Sequence, residues 1–381
     1  LKILQLISAH QWTGPTDYVI TLAKYLQDKG FDSMIGFRSF HKGSLKRHFI
    51  ENSINFTEDL KFPKGFHPIL LFRDIFGLFK IVKDFTPDII HCHNDIENIL
   101  AVFIKKFSGA SYKVVRSIHN EKFMKRKIFS SFLLNFNDYI ITNCSEYRDL
   151  LLSFMEIPSH KLEVIKGFVD KNKFCGESRR SNFFIKNYGI GDEYIKIGMV
   201  ARFQESRGHK YLIDAFQSLK RLGYNNIKLI LVGRGEVLDS LKIYVKKLGI
   251  DSDVVWTGYV RENLPELLHG LDIFVLLNRG SDGSCRAILE AMASGLPVVG
   301  VRRGSFIDTI IEDKNGFFIY SKSNVPMLAE KLKILIDNKE LRLKMGEESL
   351  KIVDSEFSKD KQVEKYLLFY KKIMGYSDTT S

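Results

Sequence analysis

Two carboxylates with a helix start between them form the first candidate site. The run from Ser281 to Val299 reads SDGSCRAILEAMASGLPVV. Its spacing predicts a helix from about Ser284 or Cys285 to Ser294, stopped by Gly295, with Pro297 opening a strand. Unpaired backbone N–H groups and the positive dipole end would meet an anion near Gly283, Ser284, Cys285 and Arg286. Asp282 lies just before that terminus. Glu290 lies roughly 9 Å further along the axis at ~1.5 Å per residue. Acids on both sides of an anion site suit a ligand with hydroxyls flanking a diphosphate, of which a nucleotide sugar is one. A capping aspartate and a surface glutamate would account for the same residues.

Arginines supply the second candidate. In Gly198 to Lys210 (GMVARFQESRGHK) Arg202 and Arg207 stand between a strand end and a helix start. Two guanidiniums there would clamp phosphates by paired N–H bonds, unless both are solvated surface charges. The third group is histidines. His119 ends the strand-like run Lys113 to Ile118, where it could place a hydroxyl or share a proton; a lone histidine is more often structural. His91 and His93 close another strand as His-x-His, but a third metal ligand is missing, which leaves acceptor-side or packing roles open. Gly233-Arg234-Gly235 follows a strand as half of a dinucleotide fingerprint, with Leu238 where a third glycine belongs.

Positioning these groups requires a particular frame. Strand-like runs Lys2–Ser8, Asp32–Phe37, Asp88–His91, Tyr112–Ile118 and Asp138–Thr142 alternate with helical stretches such as Asp17–Lys29. The same grammar restarts after Gly189: strands at Ile195–Ala201, Ile227–Val232, Val254–Trp256, Ile273–Leu277 and Pro297–Val301, with helices at Lys210–Leu222 and Val237–Leu248. Short apolar strands between amphipathic helices mean parallel sheets covered on both faces. The polar run Gly176–Asn182 suits a linker between two Rossmann-like domains. The candidate motifs above lie at or just after strand ends, where open α/β sheets bind ligands.

Composition agrees with a globular protein. The 381 residues are 45% apolar, which excludes a disordered chain. The most apolar helical run, Phe66 to Val82, is broken by Arg73, Asp74 and Lys80, so no membrane span is expected. No signal peptide is legible, and the four cysteines form no Cys-x-x-Cys pair, so free thiols in a reducing cytoplasm are expected. The net charge is +12, most of it in the first half, which suits nucleic acid, an anionic membrane or phosphorylated substrates, or solubility alone. Glu121 to Phe136 joins lysines and an arginine to phenylalanines and reads either as a helix at an anionic bilayer surface or as a core helix with a basic end.

The segment around Glu290 resembles the Glu-x7-Glu signature of glycosyltransferase family 4, a large retaining family of GT-B fold. Glu290 and the AMASGLPVV that follows it match the second half; Asp282 stands where the first Glu is usual, and Gly283-Ser284-Cys285 where Gly-Phe-Gly is. The resemblance implies that Glu290 meets the nucleotide ribose and Asp282 the donor-sugar hydroxyls. It implies that Arg202 and Arg207, the latter in place of a Lys, stabilise the departing diphosphate without a metal. Val232-Gly233 and Trp256 to Val260 are similar to the family's nucleotide-side loops, which makes Gly233, Tyr259 and Val260 base or ribose candidates. Gly14 matches the second glycine of a Gly-Gly near the diphosphate and acceptor, and His119 a strand-end histidine near the reacting sugar. Val164 to Asp170 resembles the family's hinge, and Gln362–Met374 its last helix.

The expectation is therefore an α/β chain of GT-B fold: two Rossmann-like domains facing across a cleft, with a C-terminal helix crossing back. Residues 1–178, with return helix 362–375, would be the acceptor-side domain and 179–361 the nucleotide-sugar domain. His119, Asp282 and Glu290 would be catalytic, and Gly14, Arg202, Arg207, Gly283, Ser284, Cys285 and Arg286 would hold the diphosphate. No metal and no cofactor is expected beyond the nucleotide diphosphate sugar itself. Expected partners are that donor, a glycan or lipid-linked acceptor and an anionic membrane surface, with no nucleic acid. Surface polysaccharide or lipopolysaccharide assembly would be the setting, cytoplasmic or peripheral on the inner membrane face. A GT-B sugar-nucleotide epimerase or a non-catalytic nucleotide-sugar-binding protein are the alternatives; the substitutions at Asp282, Arg207 and Thr13 leave the second open.

Overall fold

The computed structural model describes residues 1–9, 14–39, 45–63, 67–119, 127–174, 182–278 and 285–376. The chain divides into two compact units, Leu1–Lys166 with Val363–Ser381, and Gly167–Gln362.

The first unit holds seven parallel strands: β1 (Lys2–Ile7), β2 (Asp32–Phe37), β3 (Phe56–Thr57), β4 (Ile89–Cys92), β5 (Lys113–Ile118), β6 (Tyr139–Thr142) and β7 (Leu162–Val164), in the order β3-β2-β1-β4-β5-β6-β7. The chain winds outward from β1, returns across it, and winds the other way from β4. That reversal leaves a crevice at the carboxyl ends of β1 and β4, where such sheets take ligands. Alternation along each strand feeds both faces. Leu4, Leu6, Ile90 and Val114 pack under Leu78, Ile81 and Val82 of helix Pro68–Phe85 and under Leu100 and Ile104 of helix Asp95–Ser108. On the other face Ile7, Ile35 and Phe37 meet Val19, Ile20 and Ala23 of helix Gly14–Asp28. Full burial of each such side chain contributes about 1.5–3 kcal/mol.

The second unit repeats the plan with six parallel strands: β8 (Ile195–Val200), β9 (Ile227–Val232), β10 (Val254–Gly258), β11 (Ile273–Leu276), β12 (Val298–Val301) and β13 (Gly316–Ile319), ordered β10-β9-β8-β11-β12-β13. Its reversal lies between β8 and β11. Strand residues Ile197, Met199, Leu229, Leu231 and Phe274 are fully buried in one continuous core.

The two parallel sheets match the expected architecture, and the last helix groups with the first unit from Val363 as expected; the unit boundary and three short strands differ. The units divide at Lys166 and Gly167, earlier than the 178/179 boundary. The reason is that Val169 bridges to Ser358 and Phe174 enters the second core, which ties the stretch after β7 to the second unit. The last helix runs Lys359–Ile373, and its residues from Val363 group with the first unit, where Tyr366 and Tyr370 are buried and Glu364 accepts from Tyr25. The short strands β3, β7 and β13 were not anticipated; all three are sheet edges of two to four residues. Most of the expected linker, residues 176–181, lies outside the described residues, as does Cys175; the three described cysteines are free and buried.

Candidate functional site

In the second unit the strand reversal opens a pocket of about 240 Å³, lined by Val200, Ala201, Arg202, Arg207, Leu276, Asn278, Cys285, Arg286, Ala287 and Glu290. Each side chain arrives for a local reason. Arg202 lies just past the end of β8. Arg207 closes the short turn Glu205–Arg207, which Gly208 ends with a φ of 85° before helix His209–Arg221 begins. Helix Arg286–Ala293 starts after Cys285, which is buried, left-handed at φ 52° and within 2.9 Å of the Ser305 hydroxyl. Glu290 is buried one turn into that helix and accepts from Arg286 Nε at 3.0 Å. Three guanidiniums and one buried carboxylate thus converge at a helix N-terminus, an arrangement complementary to a polyanion bearing a hydroxyl group.

Gly233 and Gly235 serve this pocket from behind. A Cβ on Gly233 would lie 2.1 Å from the Ala201 carbonyl oxygen, and one on Gly235 2.1 Å from that of Phe203. The turn after β9 therefore lies directly on the backbone carrying Arg202, joined by Ala201 N–H to Val232 O and Phe203 N–H to Arg234 O, each 3.0 Å. Gly233 also donates to the Gly258 carbonyl at 2.9 Å. Beyond it, exposed Tyr259 lies beneath the Arg234 guanidinium, 4.9 Å from ring centre to Cζ, and Val260 packs partly on the core. Neither Gly233, Tyr259 nor Val260 lines the pocket itself.

The first unit gathers histidines at its own reversal. His91 is fully buried in β4, its Nδ1 2.6 Å from the Tyr370 hydroxyl and its Nε2 2.7 Å from that of Ser117. These contacts pack His91 into the core of the first unit. His93 is stacked 5.4 Å from the His119 ring, with His93 Nδ1 3.2 Å from His119 Nε2 and His93 Nε2 3.3 Å from Gln5 Oε1. Burial, with Arg116 nearby, pushes His119 down to about 3; burial, with His119 and Arg116 nearby, does the same for His91; burial holds His93 well below its usual value. All three are neutral at pH 7. With the Gln5 amide oxygen accepting, His93 Nε2 carries the proton, His119 Nε2 donates to His93 Nδ1, and His119 Nδ1 keeps its lone pair as a proton acceptor. Among the described residues no three His, Cys, Asp or Glu side chains converge as metal ligands would.

The structure thus brings Arg202, Arg207, Cys285, Arg286 and Glu290 together. Asp282, Gly283 and Ser284 lie outside the described residues. Gly14 opens the helix after β1; residues 10–13, including Thr13, are outside the description. Two groups escaped the sequence reading. Asn278, two residues past β11, lines the pocket and donates to the Ser206 carbonyl at 2.6 Å; its strand-end position was the available signal. Glu97 is buried at the β1–β4 reversal, where it accepts from the Ser8 N–H and from Asn94 at 2.9 Å, and burial pushes its carboxyl up. Its place on the inner face of an amphipathic helix gave no sign of this.

Comparison with known proteins agrees with this anatomy. Residues 12–173 match the Glycosyltransferase Family 4 model and 181–351 the Glycosyl transferases group 1 model. An uncharacterised glycosyltransferase of Methanocaldococcus jannaschii is 27% identical over 251 residues; the match spans 62% of this chain and 63%, under two thirds, of that protein. The UDP-Gal:alpha-D-GlcNAc-diphosphoundecaprenol alpha-1,3-galactosyltransferase of Escherichia coli is 24% identical over 307 residues, 77% of each chain. Among solved structures, a glycosyltransferase from Rickettsia africae superposes with a TM-score of 0.85 at 20% identity over 99% of both chains. HepE of Anabaena, crystallised with UDP-glucose, gives 0.81 at 18% over 97% of this chain and 99% of that one. The two paired sheets, the pocket at the second reversal and the two family matches lead to one conclusion: this chain belongs to the family 4 type of glycosyltransferases, with the GT-B fold.

Proposed function

We propose that the protein transfers a sugar from a nucleotide diphosphate sugar to a hydroxyl of a glycan or lipid-linked acceptor, with retention at the anomeric carbon and without a metal. The observation that carries this is the convergence of Arg202, Arg207 and Arg286 with buried Glu290 in one pocket at the second strand reversal. The arginines bind the diphosphate and neutralise the negative charge that grows on it as the anomeric C–O bond breaks. Glu290 accepts from ribose hydroxyls, and Asp282 from those of the donor sugar. The acceptor oxygen forms the new bond on the face the diphosphate leaves, and its proton passes to the departing phosphate oxygen. His119, neutral at pH 7, orients a hydroxyl by hydrogen bonding rather than acting as a cationic acid. The UDP-glucose bound by HepE and the lipid-linked substrate in the name of the E. coli relative support this donor and acceptor class. Surface polysaccharide or lipopolysaccharide assembly at the inner membrane face is the setting this reading favours.

The test is thermal unfolding with UDP, GDP, ADP and CMP and their sugars, without metal, for wild type and Glu290→Ala. Selective stabilisation by one nucleoside diphosphate, reduced in the variant, is the expected result. No shift with any nucleotide at about millimolar concentration would overturn the reading, since a bound ligand must raise stability. Nucleotide release without sugar transfer would point to an epimerase.

A further inference from the structure

Helix Pro68–Phe85 of the first unit is apolar on two faces. Leu78, Ile81 and Val82 face the sheet, as a surface helix requires. The outer side carries Ile69, Phe72, Phe76 and Phe79, exposed by 83%, 63%, 70% and 46%. At 3.6 residues per turn these four fall within one stripe. The stripe does not end with the helix. Helix Asp95–Ser108 packs beside it on the same sheet face and exposes Phe103 and Phe107, ring centres 4.5 Å apart. Helix Lys127–Asn135 and the residue after it expose Phe132 and Phe136, and Lys106 of the middle helix sits 5.8 Å over the Phe136 ring. Soluble proteins seldom expose so many large apolar side chains together without an occupant.

The charges in and around the stripe identify the occupant. Arg73, Lys80, Lys83 and Lys106 are exposed on these two helices, and Lys83 lies between the phenylalanines on the wheel. Of the acids on helix Pro68–Phe85, Asp84 is exposed, whereas Asp74 is turned fully inward and accepts from the N–H groups of Lys61 and Phe62 at 2.6 and 2.8 Å. A second copy of the chain would set this cationic face against itself across a two-fold axis, with like charges opposed. An anionic bilayer surface satisfies both features: aromatic rings enter the interface while lysines meet lipid phosphates.

We propose that the outer faces of helices Pro68–Phe85 and Asp95–Ser108 form a docking surface for an anionic lipid bilayer, with Ile69, Phe72, Phe76 and Phe79 as its inserted edge. This deepens the proposed setting by giving the membrane contact its residues, which lie mainly outside the Glu121–Phe136 segment suggested by sequence. Whether it holds does not depend on the donor pocket.

The test is cosedimentation of the full chain with vesicles of phosphatidylcholine alone or with about one third phosphatidylglycerol. The variants are Phe72→Ser with Phe76→Ser, and Lys80→Glu with Lys83→Glu, each checked for an unchanged melting temperature. These side chains are exposed, so the fold should tolerate the changes. Expected are binding to the anionic vesicles only, and a loss of about ten-fold or more in each double variant. No binding to anionic vesicles, or binding unchanged by the phenylalanine pair, overturns the proposal. So does a wild-type dimer in solution that dissociates in the phenylalanine variant, because the face would then belong to a second copy. Nucleotide stabilisation, measured on the same samples, reports separately on the donor pocket.

Discussion

The buried histidines of the first unit should each cost it stability on acidification by an amount that linkage sets. His91 and His119 are held near 3 in the folded state by burial first, with Arg116 adding to it. Unfolded, each returns to about 6.5. Below pH 6.5 the unfolded chain therefore binds more protons than the folded one, so stability is intact above that value and is lost as pH falls toward 3. For one such histidine the linked free energy is about 0.2 kcal/mol at pH 7 and about 1.4 kcal/mol at pH 5.5. The loss over that interval is about 1.2 kcal/mol each and about 2.5 kcal/mol for the pair, and it is insensitive to the folded value so long as that stays below about 4.5. His93 acts in the same direction. Glu97 and Asp74, whose carboxyls are raised by burial, act in the opposite one, so the total alone decides nothing. The decisive comparison is urea unfolding of wild type and His91→Gln at both pH values. Glutamine cannot titrate, and whatever it costs in packing it costs at both. The pH-dependent loss should shrink by about 1.2 kcal/mol in the variant. An identical pH dependence in the two proteins would refute the claim that His91 is buried and neutral.

Two further outcomes test the donor pocket. Arg202→Ala should weaken a nucleoside diphosphate about ten- to hundred-fold, the equivalent of about 1.5–3 kcal/mol for hydrogen bonds to a charged group, and leave the free nucleoside nearly unaffected; titration calorimetry with both ligands separates the cases. Gly235→Ala puts a methyl group 2.1 Å from the Phe203 carbonyl oxygen, so it should cost about 1–3 kcal/mol and displace Arg202; an unchanged melting temperature would show that the two turns can separate freely.

The fold was legible where its elements are long or regular. Ile227–Val232 and Asp32–Phe37 were read to the residue, because each is a short apolar run bounded by turn formers. What escaped were β3, β7 and β13, whose few residues carry no period and gain strand geometry only from the neighbour they pair with. The unit boundary was misplaced for a related reason. Gly176–Asn182 has the composition of a linker, but the assignment of residues 167–174 rests on tertiary contacts of Val169 and Phe174, which composition does not contain.

The site divides the same way. Spacing put Arg286 and Glu290 on one helix and Arg202 and Arg207 past one strand end; the family resemblance joined the two groups, and all four line one pocket. The histidine group is assembled by topology: His91 meets a tyrosine 279 residues away, and His93 meets Gln5 from a different strand. Neither partner carries a motif. The glycines after β9 read as half of a dinucleotide fingerprint; in the structure they also let one backbone lie directly on another, which only contact distances reveal.

The run from Phe66 to Val82 is the sharpest case. Arg73, Asp74 and Lys80 break it too often for a membrane span, and no helix among the described residues is long and apolar enough to cross one. A linear reading treats the three charges as equivalent. The helix separates them: Asp74 turns inward to cap the backbone at Lys61 and Phe62, while Arg73 and Lys80 stay on the outer side with Phe72, Phe76 and Phe79. An amphipathic helix needs one apolar face to hold it on its sheet, and Leu78, Ile81 and Val82 already provide it. The outer phenylalanines lie outside that core, each still about half exposed or more. In water they expose apolar area that folding does not remove, at about 25 cal/mol per Å². Their arrangement among cations is accounted for by a second environment that is apolar just below an anionic surface.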